Sequence, residues 1–164
     1  MQNIIITGAS HGIGRALAKK LSKKYHIINI DIVENKMDKV DFYKCDLSDK
    51  SKLLKTIEKI KTNIDSLYAL INNAALFSSK SLEKQTLEEW ENIISINLTA
   101  PYILSKEFAS MLKQSKGHII NISSTRASMS EAGTEAYSSS KGGISSLTHA
   151  LAITLSPDVK ENPI

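Results

Sequence analysis

The chain has 164 residues, enough for one domain with a real core, and its 21 Lys and Arg against 17 Asp and Glu leave a formal net charge of +4. That basic excess is a weak signal for a nucleic-acid-binding domain, the third reading of the chain, and a solvated face is the better account: Lys19, Lys20, Lys23, Lys24 and Lys50, Lys52, Lys55, Lys59, Lys61 fall on the polar faces of expected helices with few aromatics between them. One cysteine, Cys45, excludes an intramolecular disulfide, and no window approaches a membrane span, so a cytoplasmic protein that binds neither nucleic acid nor membrane is expected.

Strands are expected at about 3–7, 26–31, 40–45, 66–71 and 118–123, and helices at about 13–24, 48–61, 86–114 and 135–155. That alternation predicts a doubly wound α/β fold with a parallel sheet. The first strand, Ile4-Ile5-Ile6, runs into Thr7-Gly8-Ala9-Ser10-His11-Gly12-Ile13-Gly14 and straight on into a helix. A turn of this kind aims free N–H groups and the positive end of a helix dipole at one spot, where a pyrophosphate can sit. The spacing G-x-x-x-G-x-G differs from the usual dinucleotide fingerprint, and a plain glycine-rich loop would also fit this segment taken alone. The second strand closes on Asp31, roughly twenty residues further on, where a ribose-binding acid belongs. Its carboxylate favours NAD over NADP, since a 2′-phosphate would meet like charge and neither Ile32 nor Val33 compensates. Cys45, before Asp46, reads as a small buried apolar residue rather than a nucleophile.

Thr86-Leu87-Glu88-Glu89 is a capping-box pattern that starts the long central helix. Within it Pro101 cannot donate to the carbonyl of Asn97, so Asn97 is expected at a kink with its backbone oxygen free. Further on, Tyr137 and Lys141 stand at i and i+4 on an expected helix, which lets an ammonium lie near a phenol and stabilise phenolate. Tyr102 and Lys106 share that spacing. Context separates the two pairs: thirteen residues before Tyr137 stands a strand-end serine, Ser124, whereas the same offset from Tyr102 reaches Glu89 in the first turn of a helix.

Taken together these residues resemble a classical short-chain dehydrogenase/reductase from Ile4 to the C-terminus. The resemblance implies a Rossmann fold with Gly8, Ser10, His11, Gly12, Ile13 and Gly14 in the cofactor turn. It places Asp31 as the NAD-selecting acid, Asp46 and Leu47 at the adenine, and Asn73 and Ala74 under the cofactor. It further implies a tetrad, of which Tyr137 and Lys141 also contact the cofactor: Tyr137 as general acid/base, Ser124 polarising the substrate oxygen, Lys141 on the nicotinamide ribose and Asn97 holding a relay water through its carbonyl. The expected function is an NAD-dependent oxidoreductase acting on a small alcohol or carbonyl compound, without a metal, as a homo-oligomer. A truncated, impaired NAD-binding or interaction protein is the alternative. Two departures stand out. Ala75 replaces the glycine of the Asn-Asn-Ala-Gly motif, a methyl expected to be tolerated. By the resemblance the single domain, residues 1–164, is expected to end within the sixth strand and to lack the last strands and most of a substrate pocket, so the fifth strand is expected to have a poorly covered, association-prone outer edge.

Overall fold

The computed structural model describes residues 1–163, and of residues 161–163 the backbone alone. Its elements are β1 (Asn3–Thr7), α1 (Gly12–Leu21), β2 (His26–Asp31), β3 (Val40–Lys44), α2 (Lys50–Asn63), β4 (Ala69–Asn72), α3 (Leu87–Ile94), α4 (Ala100–Gln114), β5 (His118–Asn121), α5 (Glu135–Leu155) and β6 (Lys160–Pro163). The strands are all parallel in the order β3-β2-β1-β4-β5-β6. Parallel strands covered on both faces need side chains apolar on both faces, which is why β1 reads Ile4-Ile5-Ile6 without alternation and buries all three. Ile5, Ile28, Leu70 and Ile119 face α2 and α4, while Ile4, Ile6, Ile27 and Ala69 pack in a second cluster with Ala18 of α1. The strand order reverses between β1 and β4, and that is where a crevice opens at the carboxyl ends of an open sheet.

Three expectations are corrected. The helix expected over 86–114 is two helices joined by a π-helical turn, Ser95–Thr99, in which the Ala100 N–H reaches back five residues to the Ser95 carbonyl. Pro101 has no N–H to return to Asn97, so the chain accommodates an extra residue in a wide turn instead of a simple bend. Packing favours the same outcome, because a Cβ on Gly143 of α5 would lie 2.7 Å from Leu98 Cδ2 in that turn. β4 begins at Ala69 and not at 66, Leu67 already being buried in the core before pairing starts. Lastly, β6 pairs with β5 from His118↔Lys160 to Asn121↔Pro163, so the outer edge of β5 is covered along its described length.

Other details agree with the sequence. Thr86 Oγ1 accepts from the Glu89 N–H at 3.2 Å and Glu89 Oε2 from the Thr86 N–H at 3.1 Å, a complete capping box. Eight of the nine lysines named above are exposed; Lys61 is half-buried between Glu58 and Glu107, at 3.1 and 3.0 Å. No helix among the described residues is long and apolar enough to cross a membrane.

Candidate active site

The glycine turn between β1 and α1 is fastened to its neighbours by the buried Thr7 and Asn29 and the half-buried Asn73. Thr7 Oγ1 accepts the N–H groups of Asn73 and Ala74, both at 3.0 Å, and Asn73 Nδ2 donates back to the carbonyls of Thr7 and Gly8 at 3.0 and 3.1 Å. From the other side Asn29, fully buried in β2, accepts from the Ala9 N–H and donates to Ser10 Oγ, each at 3.0 Å. Polar atoms in a buried strand demand partners, so Asn29 in its apolar run is the sequence signal for this fastening. Gly8 sits at φ +70° with its missing Cβ 2.9 Å from Ala74 Cα. A Cβ on Gly14 would meet the Gly8 carbonyl oxygen at 2.3 Å, so only glycine lets α1 pack this close to the strand end.

Beside this turn lies a cleft of about 1080 Å³. Gly8, His11, Gly12 and Ile13 form one wall; Asp31, Asp46 and Leu47 come from the ends of β2 and β3, and Asn73, Ala74 and Ala75 from the end of β4. Nine of the eleven cofactor-contact residues expected outside the Tyr137–Lys141 pair therefore face one space. Ser10 and Gly14 stand behind it. Ser10 is fully buried, its N–H given to Asp31 Oδ2 at 3.0 Å and its hydroxyl to the Val33 carbonyl, so it frames the turn and holds the acid. Asp31 Oδ1 accepts the Ile32 N–H at 2.7 Å, fixing the carboxylate at the cleft rim. The opposite wall, Glu88, Glu91 and Asn92 of α3, was not anticipated, since it comes together only when the crossover helix folds over the sheet edge.

The residues present suit a dinucleotide. His11 caps α1 without a side-chain hydrogen bond and no acid stands in the first turn, so the positive helix end is left for a diphosphate. Gly12, at φ +51°, has nothing within 4 Å of where its Cβ would be, so the turn presents bare backbone. Ala75 lies outside the left-handed region, so its methyl adds no backbone strain. Cys45 lines the cleft, but burial pushes its thiol up from the ordinary value, away from a reactive thiolate.

Tyr137 and Lys141, which do not line this cleft, share a face of α5, with Lys141 Nζ 5.7 Å from the centre of the Tyr137 ring. Lys141 is only 3% exposed and donates to the Ile122 carbonyl at 2.6 Å. Asn97, buried in the π-helical turn, accepts from the Leu76 N–H at 2.7 Å and donates to the Leu76 carbonyl at 2.9 Å and to Ser140 Oγ at 3.0 Å. Ser140 in turn donates to the Tyr137 carbonyl at 2.7 Å. Asn97 thus ties the loop after β4 to the turn of α5 that carries the tyrosine, a side-chain role the sequence did not reveal. Ser124 opens a single 3₁₀ turn, Thr125–Ala127, that packs on α5, and its Oγ accepts the Arg126 N–H at 3.2 Å. Tyr102 and Lys106 both face outward on α4.

Burial strips hydration from the Lys141 ammonium and pushes its pKa down to about 8 from 10.5. The unfolded chain keeps this proton up to about pH 10.5 while the folded chain releases it from about pH 8, so folding stability gains from this group as pH rises between those values. Below pH 8 holding the buried charge costs about 3 kcal/mol. Lys141→Met removes that cost and also the bond to Ile122, so the variant is expected to be about 2 kcal/mol more stable than the parent at pH 7, the gap closing by pH 10. Urea unfolding of both proteins at pH 7, 8, 9 and 10 reads the difference; a gap that does not narrow shows that the ammonium is adequately solvated.

Residues 2–162 match the family model for short chain dehydrogenase. An uncharacterized oxidoreductase of Thermotoga maritima is 42% identical over 93% of this chain and 64% of its own length. Among solved structures, 4-hydroxyisoleucine dehydrogenase complexed with NADH superposes with a TM-score of 0.94 at 30% identity, covering 99% of this chain and 72% of the other. A metagenomic short-chain oxidoreductase in complex with NADP gives 0.89 at 29% identity, covering 99% and 79%. The chain thus spans less than two thirds of the length of the Thermotoga relative.

Proposed function

Because the chain belongs to the short-chain dehydrogenase family, we propose that it is the cofactor-binding and catalytic part of an NAD-dependent oxidoreductase acting on a small alcohol or carbonyl compound, with Tyr137 as its acid/base. The observation that carries this reading is the buried Lys141 ammonium 5.7 Å over the Tyr137 ring, one loop away from a cleft shaped for a dinucleotide. Asp31, Asp46, Asn73 and the turn from Gly8 to Gly14 would hold the cofactor. When bound, that group supplies or accepts the hydride.

The remaining chemistry belongs to the chain. In the reducing direction Tyr137 Oη gives its proton to the substrate oxygen, and in the oxidising direction it takes that proton back. Ser124 Oγ has a donor proton not used by its contact with the Arg126 N–H, so it can hydrogen-bond the same substrate oxygen and orient it. Lys141 supports the phenolate by charge, and a phenolate beside it restores the attraction that burial alone does not provide. Asn97 holds the loop and α5 in register, and its main-chain carbonyl, which Pro101 cannot bond, is the acceptor for a water that returns the proton. A small-molecule substrate, a homo-oligomeric state and a cytoplasmic location complete the reading.

Cofactor choice tests it directly. Asp31 faces the cleft from one side and Glu88 and Glu91 from the other, so a 2′-phosphate would enter an acidic rim. NADH is expected to bind at least about tenfold more tightly than NADPH by fluorescence titration, and Asp31→Ala to narrow that ratio. Equal affinities in the parent chain, or a preference for NADPH that survives Asp31→Ala, remove the assignment.

A further inference from the structure

Resting on the reading of Tyr137 as the acid/base, we propose that Phe77 determines substrate specificity. Its ring forms an apolar wall beside the Tyr137 ring and selects substrates that carry an uncharged alkyl or aryl group near the reacting carbon, against those that carry a carboxylate there.

Phe77 is 57% exposed, so the core does not hold it, yet its ring stands 5.0 Å from that of Tyr137 at 84°, the edge-to-face geometry that aromatic pairs prefer. The backbone leaves it little freedom to leave. Asn97 grips both the N–H and the carbonyl of Leu76, the residue before it, at 2.7 and 2.9 Å. Three residues later Lys80 donates its N–H to the Gly133 carbonyl at 3.1 Å, and Gly133 comes so close that a Cβ on it would lie 2.7 Å from the Lys80 oxygen. An exposed aromatic side chain on a loop pinned at both ends, against the side chain that handles the proton, presents a fixed apolar surface to whatever approaches that hydroxyl.

The charges on the two flanking loops point the same way. Lys80 is paired with Glu89, and Arg126 with Glu131, while Arg126 Nη1 also donates to the Met129 carbonyl at 3.1 Å. A substrate carboxylate seeking either cation would have to displace a protein carboxylate, whereas an alkyl or aryl group needs only the face of Phe77.

The test uses NADH with methyl, butyl and hexyl acetoacetate, which share one reacting ketone, and the acetoacetate anion. In the parent protein kcat/KM is expected to rise by about twofold to fourfold per methylene over the part of the series that reaches the ring, and to be lowest for the anion. The ratio of hexyl to methyl ester should fall about tenfold in Phe77→Ala, mostly through KM, and be largely restored in Phe77→Leu. Because the ratio is internal, a general loss of stability or activity cancels from it. An unchanged ratio in Phe77→Ala, or an anion used as well as the methyl ester, overturns the assignment of Phe77. Should no ester turn over although NADH binds, the catalytic reading falls instead. Phe77 is then judged by saturation-transfer NMR of hexyl acetoacetate on the NADH complex: transfer lost in Phe77→Ala and kept in Phe77→Leu upholds the wall, and equal or absent transfer in the parent and Phe77→Ala refutes it.

Discussion

Tyr137→Phe is expected to lower turnover of any carbonyl substrate by a factor of about a hundred to ten thousand, the range associated with loss of a positioned proton donor, while leaving NADH affinity within about twofold. The substitution removes one oxygen. The ring stays, and with it the contact to Phe77 and the face over which Lys141 lies, so packing gives little reason for the protein to change stability. The cleft is lined by the glycine turn, the ends of β2, β3 and β4, and α3, and not by Tyr137, which is why cofactor binding and chemistry should separate. Tyr102→Phe is the internal control: it has the same Tyr-x-x-x-Lys spacing, but the phenol is 48% exposed on α4, and its rate should match the parent's. NADH oxidation with a carbonyl panel, alongside fluorescence titration, measures both quantities. If the two variants rank the other way, the wrong tyrosine has been assigned.

The second large effect is structural first and catalytic second. Asn97→Ala leaves the Leu76 N–H, the Leu76 carbonyl and Ser140 Oγ each short of a partner, the first two half-buried and the last buried. At about 1–3 kcal/mol for each buried group left unpaired, partly relieved by entering water, the expected loss is about 3–5 kcal/mol in unfolding free energy. Asn97→Asp separates the contributions. It keeps the acceptor for the Leu76 N–H but sets a carboxylate oxygen against the Leu76 carbonyl, and Ser140 Oγ can donate to that carboxylate only by giving up the Tyr137 carbonyl, so the variant should be at least as unstable as the alanine variant. Urea denaturation gives the stabilities, and a loss under about 1 kcal/mol in Asn97→Ala would mean that the loop after β4 holds its position without this side chain. Whatever fraction of Asn97→Ala remains folded should bind NADH yet turn over slowly, because Leu76 and Phe77 no longer have a fixed relation to Tyr137.

The chain's local chemistry was legible wherever it follows from a few consecutive residues. Ile4-Ile5-Ile6 demands burial on both faces, Thr86 and Glu89 cap one another across a single turn, and Tyr137 and Lys141 share a helix face by the pitch of the α-helix alone. The glycine turn, with Asp31 closing the next strand, was equally visible, since a βαβ unit places those two segments side by side by its connectivity. Contacts between segments far apart in the sequence were not legible. Asn97 looked like a backbone acceptor ahead of a proline, and only the approach of α5, permitted by Gly143, shows its side chain clamping Leu76 to Ser140. Nothing in its own segment singles out Phe77; the fold sets its ring against Tyr137. Periodicity and turn chemistry act over three to seven residues and are written in the chain, whereas the partner of a buried amide or an exposed ring is chosen by which elements the sheet order brings together. Composition and spacing determined the fold class and the candidate chemistry; the tertiary structure decided which side chains hold that chemistry in place.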